Sequence, residues 1–184
     1  MSEDMTQSKY SSGGSAAAAP AVETTPSETP VEQFCSELAK IFNVRPTEIA
    51  LLRIEHGLLK FLFPKELTTA GAIPVSSSGS IAAHTASSRK VELFNSFLKV
   101  KHASVFESVK LTEPETLAGQ LPIQRIMSAP VLHKNGHVLG VVQVCRKGVD
   151  LSSSGPEFSL EDLHQLEHRA ELLAQCDFML PAKS

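Results

Sequence analysis

Residues 123–146 read IQRIMSAPVLHKNGHVLGVVQVCR, two apolar runs on either side of Lys134-Asn135-Gly136-His137. The runs, Ile123 to His133 and His137 to Arg146, have the length and apolar character of buried β-strands. Asn135 and Gly136 as the two central residues favour a type I′ turn, because both positions need positive φ. The stretch predicts an antiparallel hairpin at the centre of the fold.

Both ends of the folded region carry helix signals. Thr29 can cap a helix that runs to about Asn43, with Glu32 where a capping box needs it. Ser159 begins the last helix, with Asp162 at the third helical position. Apolar residues repeat at helical spacing along both helices: Val31, Phe34, Cys35, Leu38, Ile41 and Phe42 in the first, and Leu163, Leu166, Ala170 and Leu173 in the second.

The middle of the chain predicts a second hairpin, a short helix and a further strand. Residues 49–54 and 58–63 are apolar runs joined through Gly57, which can take positive φ. After a loop over 68–79, a helix is expected from Ser80 to about Ser88, then a strand from Val91 to Asn95, then a partly helical lid over 96–121. Hairpins require an antiparallel sheet, and the terminal helices must cover one of its faces, so the fold class is α+β.

Composition restricts the location and the partners. The net charge is −3, no basic run is present, and the chain has no Trp and one Tyr, so we expect no nucleic-acid partner. Cys35, Cys145 and Cys176 are few and far apart, as in a reducing compartment. Neither a secretory signal nor a run of 18 apolar residues occurs, so we expect a cytoplasmic protein with no membrane partner.

Residues 1–30 contain no Leu, Ile or Phe and are rich in Ser, Thr, Ala and Pro. Such a segment cannot bury enough apolar surface to offset its ordering entropy. We therefore predict a disordered tail over 1–30 and one folded domain over 31–180.

Three stretches resemble the GAF domain family. They are Gly79-Ser80-Ile81-Ala82-Ala83-His84, the hairpin from Ser128-Ala129-Pro130-Val131 through Asn135-Gly136 to Val144, and Phe158-Ser159-Leu160-Glu161-Asp162. The resemblance implies a GAF/PAS-like sheet in the order 2-1-5-4-3, with the terminal helices on one face and a ligand pocket under a lid on the other. Family members bind cyclic nucleotides, tetrapyrroles or other small molecules, and they often pair through their terminal helices.

The resemblance also suggests ligand-contacting residues. Backbone groups of Ile81 and Ala82 and polar groups of Asn95 and Ser96 would line the pocket. Apolar neighbours would be Phe94, Phe97 and Met127. The cyclic-nucleotide subset has an N-K…F…D-E signature; here Lys147, Phe158 and Asp162 match, but Arg146 and Leu163 replace the Asn and the Glu. Asn95-Ser96 also replaces the family's usual Asp, so these departures count against a cyclic nucleotide. The sequence does not identify a cofactor.

Two motifs invite an enzymatic interpretation. His164-Gln165-Leu166-Glu167-His168 matches a zinc-peptidase pattern, but the third ligand it needs lies well downstream in such enzymes, and few residues follow. We interpret the two histidines as part of an exposed helix face. One GAF branch reduces free methionine sulfoxide with cysteines near the pocket, but Cys145 has no resolving partner on its predicted face. No nucleophile–base pair is evident, so the chain is predicted not to be an enzyme.

The function predicted is that of a sensing or regulatory GAF domain that binds a small molecule. Because the chain ends at Ser184, soon after the last helix, we expect a stand-alone module that signals to a separate partner. The alternatives are a degenerate GAF domain used only for protein association and, third, a methionine sulfoxide reductase-like enzyme. We also expect a homodimer formed through the terminal helices.

Overall fold

The computed structural model describes residues 26–97 and 121–181. In this part of the chain three α-helices and six β-strands form an α+β fold. The helices are α1 (Pro30–Ile41), α2 (Ile81–Ser88) and α3 (Leu160–Leu173). The strands are β1 (Ile49–Glu55), β2 (Leu58–Phe63), β3 (Ala72–Pro74), β4 (Glu92–Phe94), β5 (Ile123–Leu132) and β6 (Val138–Lys147).

The predicted caps of the first and last helices are confirmed, and the structure adds a cap at the second. Thr29 accepts from the Glu32 N–H and Glu32 accepts from the Thr29 N–H, which completes the capping box of α1. Ser159 and Asp162 form the same reciprocal pair at the start of α3. Ser80 caps α2 by accepting from the Ala83 N–H at 3.3 Å.

The strand order predicted from the resemblance needs correction. All six strands pair antiparallel in the order β3-β2-β1-β6-β5-β4. The sixth strand, Ala72–Pro74, lies where a loop was expected and pairs with Leu58–Lys60 at one edge of the sheet. A three-residue edge strand has too few residues to show an alternating pattern, so the sequence gives no signal for it.

The turn between β5 and β6 differs from the expected type. Asn135 does not have positive φ; only Gly136 does, at 84°. His133 N–H donates to the His137 carbonyl at 2.8 Å, leaving a three-residue loop with Gly136 in the left-handed position. The type I′ geometry occurs in the other hairpin, where His56 and Gly57 have φ of 51° and 78° between the paired residues Glu55 and Leu58.

Two apolar layers cover the sheet, one on each face. The first, here called the terminal-helix layer, packs α1 and α3 on the sheet and includes Cys35, Leu38, Leu51, Val142, Leu166 and Leu173. The second, the α2-side layer, contains Ala50, Leu52, Leu59, Phe61, Leu67, Ile73, Ile81, Ala82, Ala83, Ala86, Phe97, Ile123, Ile126, Val141 and Cys145. The terminal helices thus cover one face of the sheet, as predicted.

Most residues of the predicted tail and lid lie outside the described ranges. Residues 1–25 of the tail and 98–120 of the lid are outside the described residues. None of the helices in the described ranges has the length and apolar character that crossing a bilayer requires.

The contact of β6 with β1 leaves no room for a side chain at Gly140. A Cβ atom there would lie 2.0 Å from the Leu52 carbonyl oxygen and 2.7 Å from the Met179 methyl carbon. Gly140→Ala should therefore separate the two strands and lower the free energy of unfolding by about 3 kcal/mol. Urea denaturation measures this loss, with Gly79→Ala as the control, because a Cβ at Gly79 meets nothing within 4 Å. Equal stability of the two variants would contradict the close approach.

Candidate functional site

α2 lies across β5 and β6 and forms one wall of the α2-side layer. Its first two residues, Ile81 and Ala82, are buried at 2% and 4% exposure, and the Ser80 cap fixes where the helix begins. The layer extends to Phe97, also buried, where the described chain breaks off before it resumes at Leu121.

The structure brings four of the predicted ligand residues to this side of the sheet. Ile81, Ala82 and Phe97 belong to the layer, and half-buried Phe94 packs against it. Ser96 is half-buried next to Phe97.

Met127 is a correction to the predicted set. It is fully buried in the terminal-helix layer, on the opposite face of the sheet from Ile81. Successive strand residues point to opposite faces, and its neighbour Ile126 is the one that faces α2. Because Met127 lies one residue further along β5 than Ile126, its side chain is on the face opposite α2 and outside the candidate site.

The side-chain amide of Asn95 makes two hydrogen bonds within the fold. Its Nδ2 donates to the Phe158 carbonyl and its Oδ1 accepts from the Phe158 N–H, both at 2.9 Å. The amide therefore joins the end of β4 to the segment before α3, and both of its polar ends are occupied.

A hydrogen-bonded chain of polar side chains, missed by the sequence analysis, runs under α2. Gln143 Nε2 donates to Ser128 Oγ at 3.2 Å, and the hydroxyls of Ser128 and Thr85 lie 2.7 Å apart. Thr85 donates to Glu92 Oε2 at 2.6 Å, and His84 Nδ1 lies 2.7 Å from Glu92 Oε1. Because the Thr85 hydroxyl hydrogen is directed to Glu92, the Ser128 hydroxyl must donate to Thr85. The members of this polar chain are Gln143, Ser128, Thr85, Glu92 and His84.

Three members of the polar chain are buried, so each hydrogen bond among them matters for stability. Ser128 and Thr85 are 0% exposed, and Gln143 is 2% exposed. A polar group buried without a partner costs about 1–3 kcal/mol, so each member depends on its neighbours. One signal could have found it: Ser128 and Gln143 interrupt two strands that are otherwise largely apolar.

The cysteines do not assemble a redox pair. Cys145 lies in the α2-side layer, whereas Cys35 lies in the terminal-helix layer and Cys176 follows α3. No disulfide joins any of the three. Burial raises the pKa of Cys35 to about 12, which keeps that thiol protonated and unreactive.

The two histidines of the zinc-peptidase pattern lie on the exposed face of α3. Both His164 and His168 are exposed, and His168 Nδ1 lies 3.4 Å from Glu171 Oε2. Within residues 26–97 and 121–181, no three His, Cys, Asp or Glu side chains are grouped so as to hold a metal ion.

The residues at several positions of the cyclic-nucleotide signature make contacts that hold the fold together. Arg146 donates to the carbonyls of Phe42 and Asn43 at 3.1 Å, so it closes the C-terminal end of α1, and its guanidinium stacks over the Phe158 ring at 4.6 Å. Asp162 caps α3, and Leu163 is buried in the terminal-helix layer. Arg146 and Asp162 thus fix the ends of helices, and Leu163 contributes to the core.

Glu48 is the one buried carboxylate in the described part of the chain. It accepts from the Arg45 N–H and from Arg45 Nη2, both at 2.8 Å, and from the Lys147 N–H at 2.7 Å. Burial raises the pKa of Glu48, but these hydrogen bonds together outweigh burial and leave that pKa below its ordinary value. The carboxylate thus ties the start of β1 to the end of β6, beside a cleft of about 500 Å³.

Comparison with known proteins identifies the family of this fold. The GAF domain profile matches residues 28–176, which is most of the chain. The chain belongs to the GAF domain family, a family of signalling and sensing modules. The comparison with curated proteins gives no match.

Solved structures share the fold at low sequence identity. A GAF domain from an Acinetobacter phosphoenolpyruvate-protein phosphotransferase is similar with a TM-score of 0.55 and 11% identity, over 77% of this chain and 75% of that one. The GAF domain of a two-component sensor histidine kinase from Bacillus halodurans is similar with a TM-score of 0.53 and 21% identity, over 80% of this chain and 93% of that one. A type II free methionine-R-sulfoxide reductase from Thermoplasma acidophilum is similar with a TM-score of 0.52 and 18% identity, over 79% of this chain and 87% of that one.

Replacing the buried carboxylate tests its role in the framework. Glu48→Gln should lower the free energy of unfolding by about 3 kcal/mol at about pH 7, because Arg45 loses its charged partner. A folded-state pKa below the unfolded value gives stability that is present above the unfolded pKa and is lost as pH falls through the folded one. The difference from wild type should therefore shrink between about pH 5 and pH 3.

Urea denaturation at several pH values measures this difference. Glu37→Gln, at an exposed position of α1, is the matched control and should change stability little at any pH. A Glu48→Gln deficit that stays constant down to about pH 3 would contradict the ionised carboxylate.

Proposed function

We propose that this chain is a cytoplasmic regulatory module that senses a small molecule on the α2 side of its sheet and signals to a separate protein. The observation that carries the proposal is the polar chain under α2. Small-molecule sites combine apolar walls with a few placed polar groups, and the α2-side layer offers this combination.

The polar chain also supplies a route for a signal. It begins at Gln143 inside the sheet and ends at Glu92 on the edge strand β4 and at exposed His84 on α2. A ligand that hydrogen-bonds to Ser128 or Gln143 would compete with Thr85. Occupancy inside the layer would then shift α2 against β4 at the surface.

We infer a ligand other than a cyclic nucleotide. Asn95 stands where the family usually has an Asp, and both ends of its amide are bonded to the Phe158 backbone. Arg146 stands at the signature Asn position and is bonded to the end of α1. A small neutral or zwitterionic compound with hydrogen-bonding groups fits the polar chain better.

Regulation is better supported than catalysis. A sulfoxide reductase requires an attacking thiolate and a resolving thiol in reach of each other. Cys145 and Cys35 lie on opposite faces of the sheet, and Cys176 lies beyond α3.

One observation favours a second candidate, a degenerate GAF domain that acts only in protein association. Phe97 is 3% exposed and packs in the α2-side layer together with Ile81 and Ala82. A side chain from the end of β4 thus occupies part of the space that a ligand would need.

A thermal-shift screen of the full chain with tetrapyrroles, nucleotides and small metabolites separates the two candidates. A ligand present at 100 times its Kd adds about 2.7 kcal/mol, which should raise the melting temperature by about 5 °C or more. Ser128→Ala should weaken that ligand at least about tenfold, because it removes the central hydroxyl of the polar chain.

Ser87→Ala is the matched control. Ser87 is an exposed serine on α2 whose hydroxyl donates to the His84 carbonyl, so binding should be unchanged. A shift that Ser128→Ala leaves intact would place the ligand elsewhere. A screen with no shift at all would favour the degenerate domain.

A further inference from the structure

A groove of about 400 Å³ opens beside β5, near the β4 edge of the sheet. One wall is the connection from α2 to β4, with Arg89 and Lys90. The opposite wall is α3, with Glu167 and Glu171. We call this feature the edge groove.

The two walls carry opposite charges that do not meet. Arg89 and Lys90 are exposed neighbours, and Glu167 and Glu171 are exposed one turn apart on α3. In the described residues no ion pair within 4 Å crosses the groove; Glu171 is paired only with His168, on its own helix. Each wall therefore holds two like charges side by side and faces solvent.

The floor of the edge groove is apolar. It is formed by Val91, Pro130 and Leu132, and the Leu132 side chain is 38% exposed. The adjacent strand β4 is an outer strand of the sheet, hydrogen-bonded to β5 on one side only among the described strands. An apolar floor between charged walls resembles the core and rim of a protein–protein interface.

The helix stripes expected to form a dimer seam are used within the chain. Leu163, Leu166, Ala170 and Leu173 are all at most 9% exposed and pack in the terminal-helix layer. Of the first stripe, Leu38 is fully buried in the same layer, whereas Phe34 and Ile41 are half-buried against it. Because most of these side chains are already covered within the chain, the edge groove offers a second surface for a homodimer.

We propose that a second copy of this chain docks in the edge groove across a twofold axis. In a twofold interface the same patch occurs on both sides, so the cationic wall of each copy can face the acidic wall of the other. The patch has two positive groups on one wall and two negative groups on the other, so a twofold axis along the groove sets unlike charges against each other. A partner with a single sign of charge would be attracted by one wall and repelled by the other.

Paired charge reversals test this arrangement directly. Sedimentation velocity at about 100 μM protein and low salt should show a wild-type dimer that weakens as salt rises. Arg89→Glu with Lys90→Glu makes both walls acidic, and Glu167→Lys with Glu171→Lys makes both walls basic. Each double variant alone should raise the dimer Kd at least about tenfold, because like charges then face each other.

Mixing the two double variants should restore association. Every acidic wall of one variant then meets a basic wall of the other, so native mass spectrometry should show a heterodimer in preference to either homodimer. The quadruple variant, which exchanges the two walls within one chain, should also dimerise with itself.

Two controls match the changes in net charge. Lys40→Glu with Lys65→Glu, and Glu37→Lys with Glu66→Lys, alter exposed positions outside the edge groove and should leave the dimer intact. Far-UV circular dichroism of every variant confirms folding, which exposed substitutions should preserve. A monomeric wild type, double variants that dimerise as wild type does, or a mixture that forms no heterodimer would each overturn the proposal.

Discussion

The contact between β1 and β6 is the constraint on which the rest of this structure depends. These two strands lie in the middle of the sheet and are buried on both faces, so their residues alternately supply the two apolar layers. Leu51 and Val142 enter the terminal-helix layer, while Leu52 and Val141 enter the α2-side layer. A shift of register by one residue would exchange these sets. The lack of space at Gly140 and the Glu48 hydrogen bond to the Lys147 N–H both act on this one contact.

Features set by local chemistry could be predicted from the sequence. The helix caps at Thr29 and Ser159 need only a few neighbouring residues, and the length of the two apolar runs predicts the strands of the long hairpin. The turn after β5 was predicted with the wrong type because the pairing of His133 with His137 is decided by the register of the strands, not by Asn135 and Gly136 alone. Strand β3 depends on a tertiary contact with β2 and leaves no pattern of its own.

The candidate site was the least predictable part, again for physical reasons. The resemblance pointed to α2, the helix that covers the polar chain, but it suggested mainly backbone and apolar groups rather than the polar chain itself. Which of Ile126 and Met127 faces α2 depends on the strand register near the irregular pairing at Arg125, which a sequence does not reveal. The role of Ser128 and Gln143 depends on which side chains they face, and this is known only once the strands are placed.

Burial of the apolar stripes also changes which surfaces can carry function. A GAF domain whose terminal helices are packed against their own sheet presents mainly polar and charged side chains on α3, among them Glu167 and His168. Association through such a surface depends on charge arrangement and on salt, and it is weaker and more readily reversed than a buried apolar seam. The edge groove lies beside β4, and β4 carries Glu92, the end of the polar chain under α2. Occupancy of the α2-side layer and association at the edge of the sheet would therefore act on the same short strand, which is a physical basis for coupling one to the other.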